Sequence, residues 1–378
     1  MTTDVISAST APRVAFVGGG FMGAVHSRAA RAAGGRLVGI AASTPASAQR
    51  AASALGIERS YDSVDELLVD ESIDIVHICT PNTSHAEYAQ AAINAGKHVV
   101  CEKPLATSVV AAEHLVSEAD RAGVTATVPF VYRYHPMVRE ARARIRTGAL
   151  GPLLTIQGAY LQDWLLTETD DDWRVDDKLG GPSRAFADIG SHLCDLVEFV
   201  TGDRVARLVA STRTVYSERS SHRAITTEDA VALVVETDTG AIGTLLVSQV
   251  APGRKNRLMI EVAGAVESMV FNQEEPESLW VGRRAGSQLL VRDAEQLSSD
   301  AARLSIVPAG HPMGYQDAFT AFVADTYAAV AGHAPEGLPR FADGLRAARV
   351  TDAVLTSAAT GAWVDVPAVR EAVSGSVA

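Results

Sequence analysis

Three observations predict an α/β protein in two parts. From residue 13 to about 128, short apolar runs rich in β-branched residues alternate with Ala-rich helical stretches. That alternation is the grammar of a parallel sheet covered on both faces. From about residue 131 onward, longer strand candidates follow one another with tight turns, which indicates an open, mainly antiparallel sheet. The first apolar run also ends in a glycine-rich turn that opens a helix, a local signal of its own.

The strand runs of the first part are "RVAFVG", "RLVGIA", "DIVHICT", "KHVVCE" and "VTATVPF". Between them lie the helical stretches "FMGAVHSRAARAA", "PASAQRAASALG", "TSHAEYAQAAINAG" and "SVVAAEHLVSEADRAG". Gly34, Gly56, Gly96 and Gly123 stand where helices should close. The strand runs of the second part are "PLLTIQGAYLQDW", "VARLVASTRTVYSE", "AVALVVETD", "AIGTLLVSQV" and "RLMIEVAGAVESMVF", with a turn signal in "TDTGA". Helices are expected at about 188–201, 314–331 and 343–360.

Composition narrows the function. The chain has 378 residues with 47% hydrophobic and 21% charged, enough for two domains with real cores. A net charge of -12 argues against a nucleic-acid partner. Cys79, Cys101 and Cys194 lie far apart and form neither a metal cluster nor a disulfide framework. The start carries Asp4 and no basic run, a poor signal peptide, and no apolar run approaches a membrane span. A cytoplasmic protein with no metal is expected.

Gly18-x-Gly20-x-x-Gly23 follows the first strand directly. The first glycine permits a tight turn, the second a close approach of pyrophosphate, and the third the packing of helix on strand. The helix N-terminus, beginning Phe21-Met22, then faces phosphates. The usual acid after the second strand is absent; Ala41, Ala42, Ser43, Thr44 and Pro45 stand there. Ser43 and Thr44 suit a ribose hydroxyl or a 2′-phosphate, so the coenzyme is NAD or NADP. The lack of an Arg directly after the strand favours NAD. Later strand ends add Thr80, Pro81, Asn82 and His85, then Glu102 and Lys103, at the edge where open parallel sheets bind ligands. The plainer alternatives are turn and cap chemistry for the first group and a solvated ion pair for the second.

"DIGSHLCDL" places Asp188 and His192 four residues apart. Asp188 suits an N-cap. Ile189, Leu193, Leu196 and Val200 form a core face beside the Asp188, His192 and Asp195 stripe. An imidazole with a carboxylate neighbour can take a proton near neutral pH. A capping Asp and a satisfied surface His is the bland alternative.

Together "GGGFMG", "TPNTSH", "CEKP", "YRYHP" and "GG…DIGSHLCDL", in this order, resemble the Gfo/Idh/MocA oxidoreductases, over residues 13 to about 366. The resemblance implies an N-terminal Rossmann domain and a C-terminal α/β domain on an open, mainly antiparallel sheet that commonly serves as an oligomer interface. It implies a catalytic Lys103 with Asp188 and His192. "YLQDWL" and "DDWRVDD" look like a sugar-dehydrogenase branch. By that similarity Tyr132, Gln162 and Trp164 would line a sugar site, and Trp173 and Arg174 would approach the coenzyme. Ser183 and Arg184 would be specificity residues, with Arg184 either reading an anionic substituent or forming a structural ion pair. His311 and Tyr315 would border the site from the other side.

These readings combine into one expectation. Residues 1–10 form a disordered arm, 11–130 a dinucleotide-binding domain, 131–366 a substrate and oligomerisation domain, and 367–378 a tail. The enzyme would oxidise a secondary hydroxyl of a sugar, cyclitol or glycoside to a ketone, as a homodimer or homotetramer. Two alternatives stay open. One is a redox-assisted glycosidase with the same residues; the other is a non-catalytic dinucleotide sensor.

Overall fold

The computed structural model describes residues 11–368. The expected arm over 1–10 and residues 369–378 of the expected tail lie outside them. The first sheet holds β1 (Arg13–Val17), β2 (Arg36–Ala41), β3 (Ile75–Ile78), β4 (His98–Cys101) and β5 (Ala126–Thr127). All its pairings are parallel, in the order β2-β1-β3-β4-β5. Every residue of β3 is buried, as a strand sandwiched between helices requires. The expected helices form at Phe21–Ala32, Pro45–Leu55, His85–Asn94 and Val109–Ala122. Gly56 and Gly123 close two of them in the left-handed region, both at φ 65°. β5 is shorter than its apolar run because Val128 turns its N–H to the Pro339 carbonyl and leaves the sheet.

The order matters for function. The chain places β2 on one side of β1 and β3 on the other, so the connections diverge there and leave a crevice at the strands' carboxyl ends.

The second sheet holds β6 (Leu153–Leu161), β7 (Val205–Arg213), β8 (Ala230–Thr237), β9 (Ile242–Ser248), β10 (Arg257–Gly264), β11 (Ser268–Asn272), β12 (Ser278–Arg283), β13 (Gly286–Val291) and β14 (Val364–Asp365). Its order is β13-β12-β11-β10-β6-β9-β8-β7-β14. It is antiparallel except for β6 beside β9. The run "RLMIEVAGAVESMVF" is a hairpin rather than one strand, closed where Gly264 N–H donates to the Glu267 carbonyl at 2.8 Å. β12 and β13 were not expected; β13 is an edge strand with mostly exposed residues and carries little apolar signal.

One face of this sheet is covered by Ser191–Thr201 and Phe341–Thr360, with Pro136–Arg146 completing the core. Ile189, Leu193, Leu196 and Val200 are buried in it, the predicted core face. The Pro136–Arg146 helix escaped notice because five arginines and glutamates interrupt its buried stripe of Met137, Val138 and Ala141. Asp188 is not an N-cap. It sits inside a π-helical turn, Phe186–Gly190, that runs straight into the helix, and its own N–H is bonded to the Arg184 carbonyl. Among the described residues no helix is long and apolar enough to cross a membrane.

Candidate active site

The glycine turn after β1 has the geometry its spacing predicts. Gly18 has φ +101°, and a Cβ there would lie 2.6 Å from the Cys79 carbonyl oxygen. A Cβ on Gly23 would lie 2.4 Å from the Gly18 oxygen, so the helix can sit this close to the turn only with glycine. The Phe21–Ala32 helix begins at Gly20 with no side-chain cap, leaving its first N–H groups open to a ligand. They face a cleft of ≈ 850 Å³ at the carboxyl ends of the parallel strands. Gly18, Gly20, Phe21, Met22, Ser43, Thr80, Pro81, Asn82, His85, Glu102, Lys103, Trp173 and Arg174 line it. A long cleft with a glycine turn and an uncapped helix end fits a nicotinamide dinucleotide.

Two expected coenzyme contacts are otherwise engaged. The Thr44 hydroxyl accepts from Ser47 N–H at 3.1 Å and caps the Pro45–Leu55 helix, and Thr44 does not line the cleft. Each His85 ring nitrogen faces a backbone carbonyl, Pro104 at 2.7 Å and Thr80 at 2.8 Å. His85 therefore clamps the "TPNTSH" loop to the "CEKP" turn. Asn82 donates to the Gly180 carbonyl at 2.9 Å and ties the same loop to the second part of the chain.

Lys103, which lines the cleft, is paired with Asp188, and His192 lies within electrostatic reach of both. Lys103 Nζ lies 2.6 Å from Asp188 Oδ1 and 3.0 Å from the Asp188 carbonyl. Gln249 Nε2 donates to Asp188 Oδ2 at 2.8 Å, and Arg174 Nε stands 3.7 Å from Oδ1. Burial pushes the Asp188 carboxyl up, but Lys103 and Arg174 override it and hold the group at about 2. Asp188 is thus committed to Lys103 and Gln249, not to His192. The His192 ring is pushed down to about 3, first by burial and then by the Lys103 charge. Its Nδ1 is buried with no hydrogen-bond partner. His192 is thus a neutral imidazole whose Nδ1 has no protein partner.

Beyond His192 lies an aromatic and amide cluster. Tyr132 packs edge-on to His192, with centroids 5.1 Å apart, and lies 6.2 Å from the Tyr315 ring. The Tyr132 hydroxyl bonds the Tyr160 hydroxyl and accepts from Asn256 Nδ2 at 3.2 Å. Asn256 Oδ1 accepts from Tyr160 and from Gln162 Nε2, both at 2.8 Å. Gln162 Oε1 in turn accepts from Trp164 Nε1 at 2.8 Å, leaving the Trp164 ring 37% exposed. The Arg174 guanidinium lies 4.4 Å from the Trp173 ring and 6.0 Å from Trp164, bridging the two clusters.

Some expected residues are elsewhere. Arg184 is fully buried against Asp229, which also pairs with Arg219 at 2.7 Å, the structural ion pair among the two alternatives expected. Ser183 is held by Glu228 at 2.8 Å in the same cluster. His311 is exposed and its carbonyl accepts from Arg292 at 2.6 Å. Conversely, Gln249, Asn256 and Tyr160 were missed. β9, β6 and β10 are register neighbours, so their ends carry Gln249, Gln162 and Asn256 to one edge. A Gln closing the apolar run "LLVSQV" was the available signal.

Fold and site define a dinucleotide-dependent oxidoreductase. Residues 12–130 match the oxidoreductase family with an NAD-binding Rossmann fold, and residues 138–270 match the Gfo/Idh/MocA C-terminal domain. The chain belongs to the Gfo/Idh/MocA oxidoreductases and is an NAD-binding member of them. It is 31% identical to levoglucosan dehydrogenase of Pseudarthrobacter phenanthrenivorans, over 94% of this chain and 98% of that protein. The solved complex of levoglucosan dehydrogenase with NADH and L-sorbose superposes with a TM-score of 0.89 at 31% identity, covering 94% of this chain and 99% of that one. An inositol dehydrogenase homolog from Azotobacter vinelandii in complex with NAD+ gives a TM-score of 0.86 at 28% identity, over 94% and 98% of the two chains.

Proposed function

We propose that this enzyme oxidises a secondary hydroxyl of a sugar or cyclitol to a ketone, with NAD or NADP as acceptor. The observation that carries the reading is the pair made by Lys103, a cleft-lining residue, and Asp188 at 2.6 Å, with a neutral His192 within their electrostatic reach. The bound coenzyme would supply the hydride acceptor. Lys103 Nζ holds the reacting oxygen and stabilises the charge that develops on it. His192 takes the hydroxyl proton as general base. Asp188 keeps Lys103 in place, and Gln249 keeps Asp188 in place.

Tyr132, Gln162 and Trp164 suit a compact polyol, with an aromatic face for C–H groups and amides for hydroxyls. No carboxylate follows β2 to repel a 2′-phosphate, so NADP is compatible with the cleft. The sugar- and cyclitol-related names of the relatives support the substrate class. The test is incubation of the purified protein with NAD or NADP and a panel of sugars, cyclitols and glycosides. Coenzyme reduction with formation of a ketone supports the reading; tight coenzyme binding without turnover of any of them removes it.

The open face of the nine-stranded sheet exposes Val234, Ile242, Leu246, Trp280 and Leu289. An exposed sheet face with this many large apolar side chains suits a second copy of the chain. Light scattering should return a homodimer or homotetramer, and a monomer at all concentrations would exclude that assembly.

A further inference from the structure

Behind Glu102, on the side away from the cleft, polar side chains from four separate elements form one buried line. Glu102 Oε1 lies 2.9 Å from His26 Nε2, and His26 Nδ1 lies 2.8 Å from His77 Nδ1. His77 Nε2 lies 3.2 Å from the Tyr327 hydroxyl. His26 belongs to the first helix, His77 to β3, and Tyr327 to the helix Tyr315–Val330 of the second part. Both imidazoles are 0% exposed. Phe319 packs on His26 at 4.6 Å and Phe16 on His77 at 5.2 Å, so the line runs between apolar walls.

A row of polar groups in such a place is costly unless each is satisfied. Burial drives His77 well below its ordinary value. Burial pushes Glu102 up, but the hydrogen bond from His26 together with the nearby charges, Lys103 among them, holds the carboxyl below its usual range. One assignment of ring protons satisfies every atom of the line. His26 Nε2–H donates to the carboxylate, His77 Nδ1–H donates to His26, and the Tyr327 hydroxyl donates to His77. The other Glu102 oxygen accepts the Lys103 backbone N–H at 3.1 Å. The line therefore ends at the backbone of the lysine whose Nζ reaches Asp188.

We propose that His26, His77 and Tyr327 are positioning residues for the reaction. Their line locks the Glu102 carboxylate, and Glu102 sets the backbone from which Lys103 presents its ammonium to Asp188 and the reacting oxygen. Because Tyr327 comes from the second part of the chain, the line also registers the coenzyme edge against the substrate edge. The inference rests on Lys103 acting in hydride transfer as proposed above.

Tyr327→Phe removes one oxygen and keeps the ring that packs on His77. It should lower kcat about tenfold, roughly one buried hydrogen bond's worth, with little change in the KM for the sugar and a small fall in Tm from the unpartnered His77 Nε2. Combined with Glu102→Gln, it should add less than about twofold, since both act through one carboxylate. Nitrogen-15 spectra give a readout that needs no turnover: in Tyr327→Phe the ring signals of His77 and of His26, two links away, should both move. Full additivity in the cycle, an unchanged kcat, or movement of His77 alone would each overturn the relay. If no sugar is turned over by the wild type, the proposed reaction fails, yet the nitrogen-15 result still decides whether the line is coupled.

Discussion

The coenzyme edge and the substrate edge meet at Lys103 but are made by different means. The coenzyme edge is mostly local: the turn after β1 and the ends of β2, β3 and β4 supply most of it, with Trp173 and Arg174 added from the second part of the chain. The substrate edge is assembled from Tyr132, Gln162, Asp188, His192, Gln249, Asn256 and Tyr315, brought from distant parts of the chain. A local backbone site is carried by glycine spacing and is shared among many proteins with one coenzyme. A site of convergent side chains varies one residue at a time, so one fold can carry many specificities.

The difference can be broken from either side, and the largest effect belongs to the substrate edge. His192→Ala should lower hydride transfer by about 10²–10⁴-fold, while NADH titration by fluorescence shows unchanged affinity. Next comes the coenzyme edge. Gly23→Ala puts a Cβ 2.4 Å from the Gly18 oxygen, which only backbone movement can relieve. It should weaken NADH binding by roughly 10- to 100-fold, measured by the same titration. Asn256→Ala is smaller and falls on the substrate side alone. It leaves Tyr160 and Gln162 without their shared acceptor and should raise the KM for the sugar by about tenfold, with coenzyme affinity intact.

The smallest predicted effect is a lack of change. A base whose protonation is pushed down to about 3 keeps its neutral form as pH falls through the ordinary imidazole range. kcat/KM should then vary by less than about twofold between pH 8 and 6, whereas an ordinary imidazole would show about a fourfold fall. A pH–rate profile separates the two.

The same contrast explains what the sequence disclosed. The parallel strands, Gly18 to Gly23, the helix ends at Gly56 and Gly123, and the Asp188–His192 spacing were legible because each is a short-range pattern. The role of Asp188 was not. Its expected capping geometry gave way to a π turn, and its expected partner His192 gave way to Lys103 and Gln249, which lie 85 and 61 residues away in the chain. Arg184 stood open between reading an anionic substituent and forming a structural ion pair, and only the fold shows it buried against Asp229. His26 and His77 sat in plain view in "GAVHSRAA" and "IVHICT", but nothing local relates one to the other across 51 residues.

Isotope tracing tests the central claim most directly. A sugar or cyclitol found to react should be labelled with deuterium at the carbinol carbon that becomes the ketone. Direct hydride transfer predicts one deuterium delivered to the reduced coenzyme for each ketone formed, and a large loss of that transfer in His192→Ala. Cleavage of a glycoside with the deuterium returned to the sugar, or no transfer to coenzyme at all, would contradict it.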